Sequence, residues 1–464
     1  MNNFELYDLF KSFISELLPK IKNLTEKATL HDKHKEYPKL FLEKGIPILS
    51  EYWLDAPINI SALLLNSGNK PLLNMDECDS FLKLNQHLFS LNEFRDLFYP
   101  NEIATEGQDS YYSSIITVYI CNIFERYYHL SNGTTQFDIG IFDKIYKSSE
   151  AMIYSKKLHF DFSIPLLMIS FSDDEIKIDK NILIRKISKE NHMARYYIRS
   201  HEAQVPDHII SMCTHELVFK NYSFPSNKIQ KLSYSPEFYP LDIIELFFNA
   251  VKIINDFSTG FSQILIYPHD WAGYYKMDLP YMLGLTIRKY PQYFDRYFYD
   301  TDLIKNIDTD EAVQIAKIYR AFLNTDHNKI LIANKRLRTS YLRDNDEDSI
   351  LDIVIALEAL LGGNDKGELV HKLALRVAAL FKKFDIEKNS FEVFTQVKKI
   401  YNFRSKLIHG NTKLSTNKLI QGDNTNGSLN EIRLANDFLR KILKILIENE
   451  QLLDPSKIDK LLLE

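Results

Sequence analysis

The chain of 464 residues has no proline between Pro291 and Pro455. Proline lacks the backbone N–H that a helix interior uses, so its absence leaves this long stretch free to form helices. Apolar residues recur through it at steps of three and four, the period of a helix with one buried face. The spacing predicts four long helices and, after a Gly/Asn/Ser/Thr-rich loop at 410–428, a fifth, with bounds 310–341, 347–361, 367–384, 390–409 and 428–450.

The part of the chain before these helices has two different patterns. Residues 1–155 contain few glycines and repeat apolar residues at helical steps, which predicts a mostly helical region. Residues 156–305 contain short apolar runs separated by Asp, Lys and Asn at the spacing of hairpin turns. Here we expect a small antiparallel meander, one further strand and a helix after Pro240, with the strands at 164–171, 175–178, 182–187 and 261–267.

These patterns divide the chain into three predicted regions. They are a helical region at 1–155, a mixed α and β region at 156–305 and a helical bundle at 310–464. The predicted fold class is α+β and mostly α. Several domains are expected because a single domain typically contains about 100 to 200 residues.

Charge and cysteine content limit the classes of function. The 57 basic and 62 acidic residues give a net charge of −5, so binding of a nucleic acid would need a local basic surface. The three cysteines are odd in number and far apart, which argues against disulfides and favours a reducing cytoplasm. No apolar run reaches the roughly 18 uncharged residues of a membrane span, so no membrane partner is expected.

The segment YNFRSKLIHGN, residues 401–411, places one arginine and one histidine at the end of a predicted helix. Arg404 follows Tyr401 at a step of three, so it shares a face with apolar residues. His409 lies in the last turn, before Gly410 as the expected C-cap. On spacing alone, a structural role for both residues is the commoner interpretation.

The sequence around this segment contains three blocks, EDSILDIVIALEALL, ELVHKLALRVAALF and VKKIYNFRSKLIHGN, followed by a closing helix. In this order and spacing they resemble the HEPN superfamily, in particular its Apea-like branch, over about 335–447. The resemblance implies a HEPN-type antiparallel helical bundle. It also implies that Arg404 and His409 form the Arg-x4-6-His active site of a metal-independent ribonuclease, with Ser405 where the family usually has Asn, Asp or His.

The chemistry of such a site fits these residue types. Cleavage of RNA through its own 2′-hydroxyl needs a group that removes that proton and a cation that stabilises the charged phosphate. His409 is expected to be the acid or base, and Arg404 a bidentate phosphate clamp. The resemblance further implies a homodimer that brings two such pairs to one cleft. It suggests RNA as substrate, with tRNA among the candidates, and a toxin-like role in antiphage defence with a phage-derived trigger.

Further residues are expected to support this site. Glu358 lies within an otherwise apolar helix, where we expect it to pair with Arg376 or to orient Arg404. Supporting residues flank the motif, namely Ser405, Lys406 and Asn411. Basic and aromatic side chains nearby form the expected RNA-binding surface, namely Arg376, Lys398, Lys399 and Tyr401. Tyr401 fits the core equally well.

We expect no cofactor and no metal ion. His31 and His34 lie one helical turn apart, but no third or fourth ligand lies near them in sequence. The glycines within 361–368 lack the Gly-Lys-Ser/Thr ending of a phosphate-binding loop. The competing interpretation is a non-catalytic HEPN bundle that dimerises, binds RNA or docks a partner, with Arg404 and His409 as structural residues.

Overall fold

The computed structural model describes residues 1–26, 28–51, 54, 56–65, 75–98, 108–199, 203–296, 304–363, 368–386, 389–408 and 426–462. The protein is α+β and mostly α, as the sequence predicts. It consists of two compact units. Unit 1 comprises Met1–Pro165, Asn181–Tyr239 and Phe261–Arg288, and unit 2 comprises Leu166–Lys180, Pro240–Gly260 and Lys289–Glu464. The chain therefore passes repeatedly between the units, whereas the sequence predicts three consecutive regions.

The helices are numbered α1 to α16 along the described residues. In unit 1, α1 to α8 are Phe4–Thr25, Ile60–Leu65, Asp79–Ser90, Asn92–Phe98, Gln108–Leu130, Ile139–Tyr154, Lys189–Arg195 and Asp207–Ser211. In unit 2, α9 to α16 are Leu241–Asn255, Thr309–Asn324, Asn328–Leu342, Asp346–Leu361, Leu369–Lys383, Ser390–Ile408, Asn426–Glu448 and Pro455–Lys460. None of the helices in these ranges is long and apolar enough to span a bilayer.

The strands are numbered in the same way. β1 to β5 are Pro38–Glu43, Ile46–Glu51, Lys157–Leu167, Ile169–Phe171 and Glu175–Asp179. β6 to β10 are Ile182–Lys186, Cys213–Pro225, Phe261–Pro268, Leu283–Lys289 and Lys305–Ile307. In unit 1, strands β6, β7, β3, β8 and β9 lie side by side in that order. β6 is antiparallel to β7, with Ile184 opposite Leu217, and β3 is antiparallel to β8, with Phe162 opposite Ile266.

The meander predicted for 164–187 is wrong in the pairing of its first strand. β3 ends at Leu167, and the next residue, Met168, has a φ of 60°, in the left-handed region. β4 then pairs in parallel with β10. β7, which follows much later in the chain, lies between β6 and β3. Pairing between distant segments therefore replaces the hairpin predicted between the first two strands of the meander.

Unit 2 contains the helical bundle that carries the motif. α12 packs against α11, α14 and α15, and α13 packs against α14. The buried carboxylate of Asp352 on α12 accepts hydrogen bonds from Arg336 at 2.6 Å and from Arg343 at 3.0 Å, which ties α12 to α11. The four helices predicted from residue 347 onward are confirmed, each to within about two residues at its ends.

The single helix predicted over 310–341 is wrong, because it is divided into α10 and α11. α10 ends at Asn324, and Thr325 has an extended backbone with φ −83° and ψ 138°. The backbone N–H of His327 donates to the Thr325 hydroxyl at 3.3 Å. Short polar side chains that bond nearby backbone groups compete with the hydrogen bonds of a helix, which explains a break without proline.

The helix predicted after Pro240 is confirmed as α9. Ile244, Phe248 and Val251 are fully buried along one face, at the helical steps that predicted it. The sequence places this helix in the mixed region, but the structure places it in unit 2 with the C-terminal helices. Periodicity therefore identifies the helix and its buried face, and the neighbours it packs against are set by the fold.

Candidate functional site

The candidate site lies on α14. Val397 and Ile400 are fully buried, and Tyr401 is 6% exposed. Arg404 follows Tyr401 by one turn and is half-buried, as the periodicity predicts. The helix therefore carries the Arg404 guanidinium partly into the bundle rather than fully into water.

Arg404 and Tyr401 each have a buried polar atom without a hydrogen-bond partner. These atoms are Nε of Arg404 and the hydroxyl of Tyr401, and neither bonds any group among the described residues. Burial and the negative charge of Glu358 raise the pKa of the Tyr401 phenol, and the positive charge of Arg404 opposes this shift. The phenol is therefore neutral at physiological pH, and it lies close enough to both charged groups to be affected by them.

Glu358 lies in the last turn of α12 and faces a cleft. The cleft has a volume of about 1000 Å³, and its walls include Glu358, Lys329 and Lys372. No ion pair joins Glu358 to Arg404 or to Arg376 among the described side chains. The link between Glu358 and Arg404 that the structure shows is indirect, because the charges of both residues act on the Tyr401 phenol.

Arg376 has partners other than those that the sequence suggests. Its Nε and Nη2 each donate to a carboxylate oxygen of Asp459 at 2.7 Å, and Nη1 donates to the carbonyl of Leu361 at 2.6 Å. The Arg376 side chain is only 8% exposed. The pairing with Glu358 is therefore wrong. Arg376 is also corrected from an RNA-binding residue to a structural one, because its charge is already matched within the fold.

Tyr401 requires a second correction. At 6% exposure its ring is part of the bundle core, so it offers no free face on which an RNA base could stack. The sequence left open a core position for this residue, and the structure favours that alternative. What remains of the predicted role is indirect, because the Tyr401 hydroxyl lies near Glu358 and Arg404.

The other predicted residues on α14 are at the surface. Lys398, Lys399, Ser405 and Lys406 are exposed. The ammonium group of Lys398 lies 5.2 Å from the centre of the Phe394 ring. This side of α14 therefore presents several cations to solvent, which is what contacts with phosphate groups require.

The histidine half of the motif is known from sequence alone. His409, Gly410 and Asn411 lie outside the described residues, which stop at Ile408 before the linker and resume at Asn426. The geometry of the site therefore concerns Arg404 and its surroundings.

The two histidines that lie one helical turn apart in the sequence are His31 and His34. His31 is exposed, whereas burial lowers the pKa of His34. Within the part of the chain that the structure describes, no group of three or more His, Cys, Asp or Glu side chains is placed to hold a metal ion.

One exposed aromatic residue of α14 was missed in the sequence. Phe391, in the first turn of α14, is 76% exposed. The sequence does indicate this exposure, because Phe391 is about half a helical turn out of phase with the buried Val393. Asp459, the partner of Arg376, gave no such signal, since the two residues are 83 positions apart.

Comparisons of the chain with protein-family models, with curated proteins and with solved structures find no match. The similarity to HEPN proteins therefore stays a resemblance of the three sequence blocks. Any function has to be argued from the residues of the chain and from their positions in the bundle.

Proposed function

We propose that the protein is an endoribonuclease that cleaves RNA through its 2′-hydroxyl without a metal ion, with Arg404 and His409 as the working pair. The observation that carries this proposal is the buried Nε of Arg404, which has no hydrogen-bond partner among the described residues. A buried donor without a partner destabilises a fold by about 1 to 3 kcal/mol. Because Arg404 as a whole is only half-buried, a phosphate group would contact the part of its guanidinium that stays open.

The contrast with Arg376 supports this choice of arginine. Arg376 has a bidentate carboxylate partner and a carbonyl partner, whereas Arg404 has no ion pair within the described residues. An arginine that is only half-buried and has no carboxylate partner keeps its planar set of donors for phosphate recognition. Arg404 is thus the better phosphate ligand of the two.

The reaction is an internal transfer at phosphorus. His409, acting as base, takes the proton of the 2′-hydroxyl, and the 2′-oxygen forms a bond to the phosphorus. Arg404 stabilises the negative charge that develops on the phosphate oxygens. The bond from phosphorus to the 5′-oxygen then breaks, and a protonated histidine gives that oxygen its proton. The products carry a 2′,3′-cyclic phosphate and a 5′-hydroxyl.

The proton balance of this reaction supports a dimer. One histidine serves poorly as base and acid on opposite sides of the same phosphorus, and each chain supplies one His409. A two-fold homodimer would bring two Arg404 and His409 pairs to one cleft. In that arrangement Glu358 is a positioning residue that acts through Tyr401, because the charges of Glu358 and Arg404 both act on the Tyr401 hydroxyl.

The biological role that we propose rests on the resemblance alone. The resemblance to HEPN proteins suggests that this protein is a toxin-like effector that acts in the cytoplasm during antiphage defence. RNA, with tRNA among the candidates, would be its substrate, and a phage-derived molecule would be its trigger.

The test is a cleavage assay of the full-length protein on mixed cellular RNA in the presence of EDTA. We expect RNA cleavage with the chelator present and no cleavage of DNA. The RNA products should carry 2′,3′-cyclic phosphate and 5′-hydroxyl ends. Arg404→Ala and His409→Ala should each lower the rate by about 10²- to 10⁴-fold. Arg433→Ala and His327→Ala are matched controls, because both residues are exposed in unit 2, and both variants should retain full activity.

The competing function is a non-catalytic bundle that dimerises or binds a partner. It predicts that His409→Ala changes stability and leaves any RNA cleavage as it was. Activity that EDTA abolishes and Mg²⁺ restores would likewise show that the proposed reaction is wrong.

A further inference from the structure

A second feature of unit 2 lies between α13 and α14, away from Arg404. It is a pocket of about 320 Å³, with a floor of small and aliphatic side chains that includes Leu375 and Ala378. Phe391 and Phe394 form its α14 wall, and Leu461 closes the side nearest the C-terminus. The volume lies within the range of about 300 to 1,000 Å³ that is typical of small-molecule sites.

The aromatic wall of this pocket is open to solvent. Phe391 is 76% exposed, and its ring lies roughly parallel to that of Phe394, with the ring centres 6.5 Å apart. An exposed phenylalanine beside an apolar pocket is unfavourable in water, unless the ring is covered when a ligand binds. The open face of Phe391 is therefore a platform for a flat apolar group.

Two lysines lie beside this aromatic wall. Lys382 lines the pocket from α13, and Lys398 lies over the Phe394 ring at 5.2 Å. Both lysines are exposed. Aromatic rings interleaved with lysines are the combination that holds a single-stranded nucleic acid, in which the bases stack on the rings and the cations follow the phosphates.

We infer that this pocket binds one unpaired base of a single-stranded RNA, with Phe391 as the stacking partner and Lys382 and Lys398 on the flanking phosphates. The inference rests on the proposed RNA substrate and adds a second subsite to it. Phe391 and Arg404 lie on the same helix, 13 positions apart, so they are about 20 Å apart along its axis and about 140° apart around it. A strand held at both points is a run of several unpaired nucleotides, such as a loop or an end, rather than a regular duplex.

Charge argues for RNA rather than for a second copy of the chain. A two-fold contact through this pocket would bring the same surface of each copy together, and so would gather Lys382 and Lys398 of both copies at one interface. Like charges facing one another oppose association, whereas a polyanion neutralises them. The pocket also has the scale of one base and not of a helix face.

The test measures binding without cleavage. The full-length protein is titrated into a fluorescent 2′-O-methyl oligoadenylate that is long enough to span both points, and anisotropy gives the affinity. The 2′-O-methyl group removes the nucleophile, so the result does not depend on whether the proposed reaction occurs. Phe391→Ala should weaken binding by about 5- to 150-fold, the effect of losing one stacked base. Phe391→Trp keeps an aromatic ring at this position and should bind the probe with about the affinity of wild type.

Two controls identify the contact. Phe4→Ala removes a phenylalanine that is 71% exposed in α1, and it should leave the affinity unchanged. A series of probes with one abasic position should contain a position at which wild type and Phe391→Ala bind equally. Lys382→Gln should weaken binding and lower the dependence of log affinity on log salt concentration by about 1.

The outcomes separate this inference from the proposed reaction. Binding that depends on Phe391, in a protein that cleaves no RNA, supports the inference and refutes only the reaction. Equal affinity of wild type and Phe391→Ala overturns it, as does a wild type that does not bind the probe at low salt. A Phe391→Ala variant with unchanged affinity but a smaller mass in light scattering would show that a second copy of the chain occupies the pocket.

Discussion

Arg376 and Arg404 are both basic residues of the bundle, and replacing each with alanine should have opposite consequences. Arg376 makes three hydrogen bonds, of 2.7, 2.7 and 2.6 Å, to Asp459 and to the Leu361 carbonyl. Arg404 makes none through its buried Nε among the described residues. We therefore expect Arg376→Ala to lower stability, and Arg404→Ala to lower activity with little effect on stability.

The loss of stability in Arg376→Ala follows from these contacts. A hydrogen bond to a charged group stabilises by about 1.5 to 3 kcal/mol, and an exposed ion pair by about 0 to 1 kcal/mol. Asp459 is 45% exposed, so solvent screens part of the pair, while the buried carbonyl of Leu361 loses its donor. We expect a loss of about 2 to 3 kcal/mol, which corresponds to a fall in Tm of roughly 5 to 10 °C.

Arg404→Ala removes no such hydrogen bond, and only the packing of its aliphatic stem is lost. The free energy of unfolding should change by less than about 1 kcal/mol, while kcat falls by about 10²- to 10⁴-fold. Thermal unfolding followed by circular dichroism and RNA cleavage on the same preparations measure both quantities. A catalytic role of Arg404 would be refuted if Arg404→Ala unfolded at as low a temperature as Arg376→Ala and its residual activity simply followed the folded fraction.

Three other predictions concern Glu358, the oligomer and pH. Glu358→Gln should lower cleavage several-fold and leave the circular dichroism spectrum unchanged, because it removes the negative charge that acts on Tyr401 but keeps the size of the side chain; wild-type turnover would exclude a positioning role. Light scattering at micromolar concentration should give the mass of a dimer, and a strict monomer would rule out a shared site. Burial and the charge of Arg195 lower the pKa of His192 from 6.5 to about 2. The unfolded chain therefore binds this proton first as pH falls, so the contribution of neutral His192 to stability is complete above about pH 6.5 and declines below it. Urea unfolding should show that decline in wild type and a shallower one in His192→Asn.

Local pattern alone determined much of the bundle and the position of the motif. The buried face of α14 and the half-buried position of Arg404 follow from steps of three and four, and a helix satisfies its backbone hydrogen bonds within one segment. For the same reason α12, α13 and α15 were predicted close to their observed bounds. The same helical period predicts that charged residues such as Lys398 and Lys406 lie on the exposed face of α14, as they do.

Local pattern did not predict contacts between residues that are distant in the chain. Arg376 was assigned to Glu358 or to RNA, but its carboxylate comes from Asp459, 83 positions away. The meander was drawn from adjacent strands, but β7 lies between β6 and β3. In both cases several chemically equivalent partners exist in the sequence, and periodicity does not choose among them.

The tertiary structure also decided which members of the motif region are available for chemistry. Tyr401 and Arg404 lie one turn apart, yet the first is in the core and the second keeps a donor without a partner. Phe391, on the same helix, is left open beside a pocket that α13 and Leu461 complete. Secondary structure depends on contacts within a few residues, which the sequence displays directly. The accessibility and pairing of a side chain depend on packing between distant segments, and only the folded chain sets them.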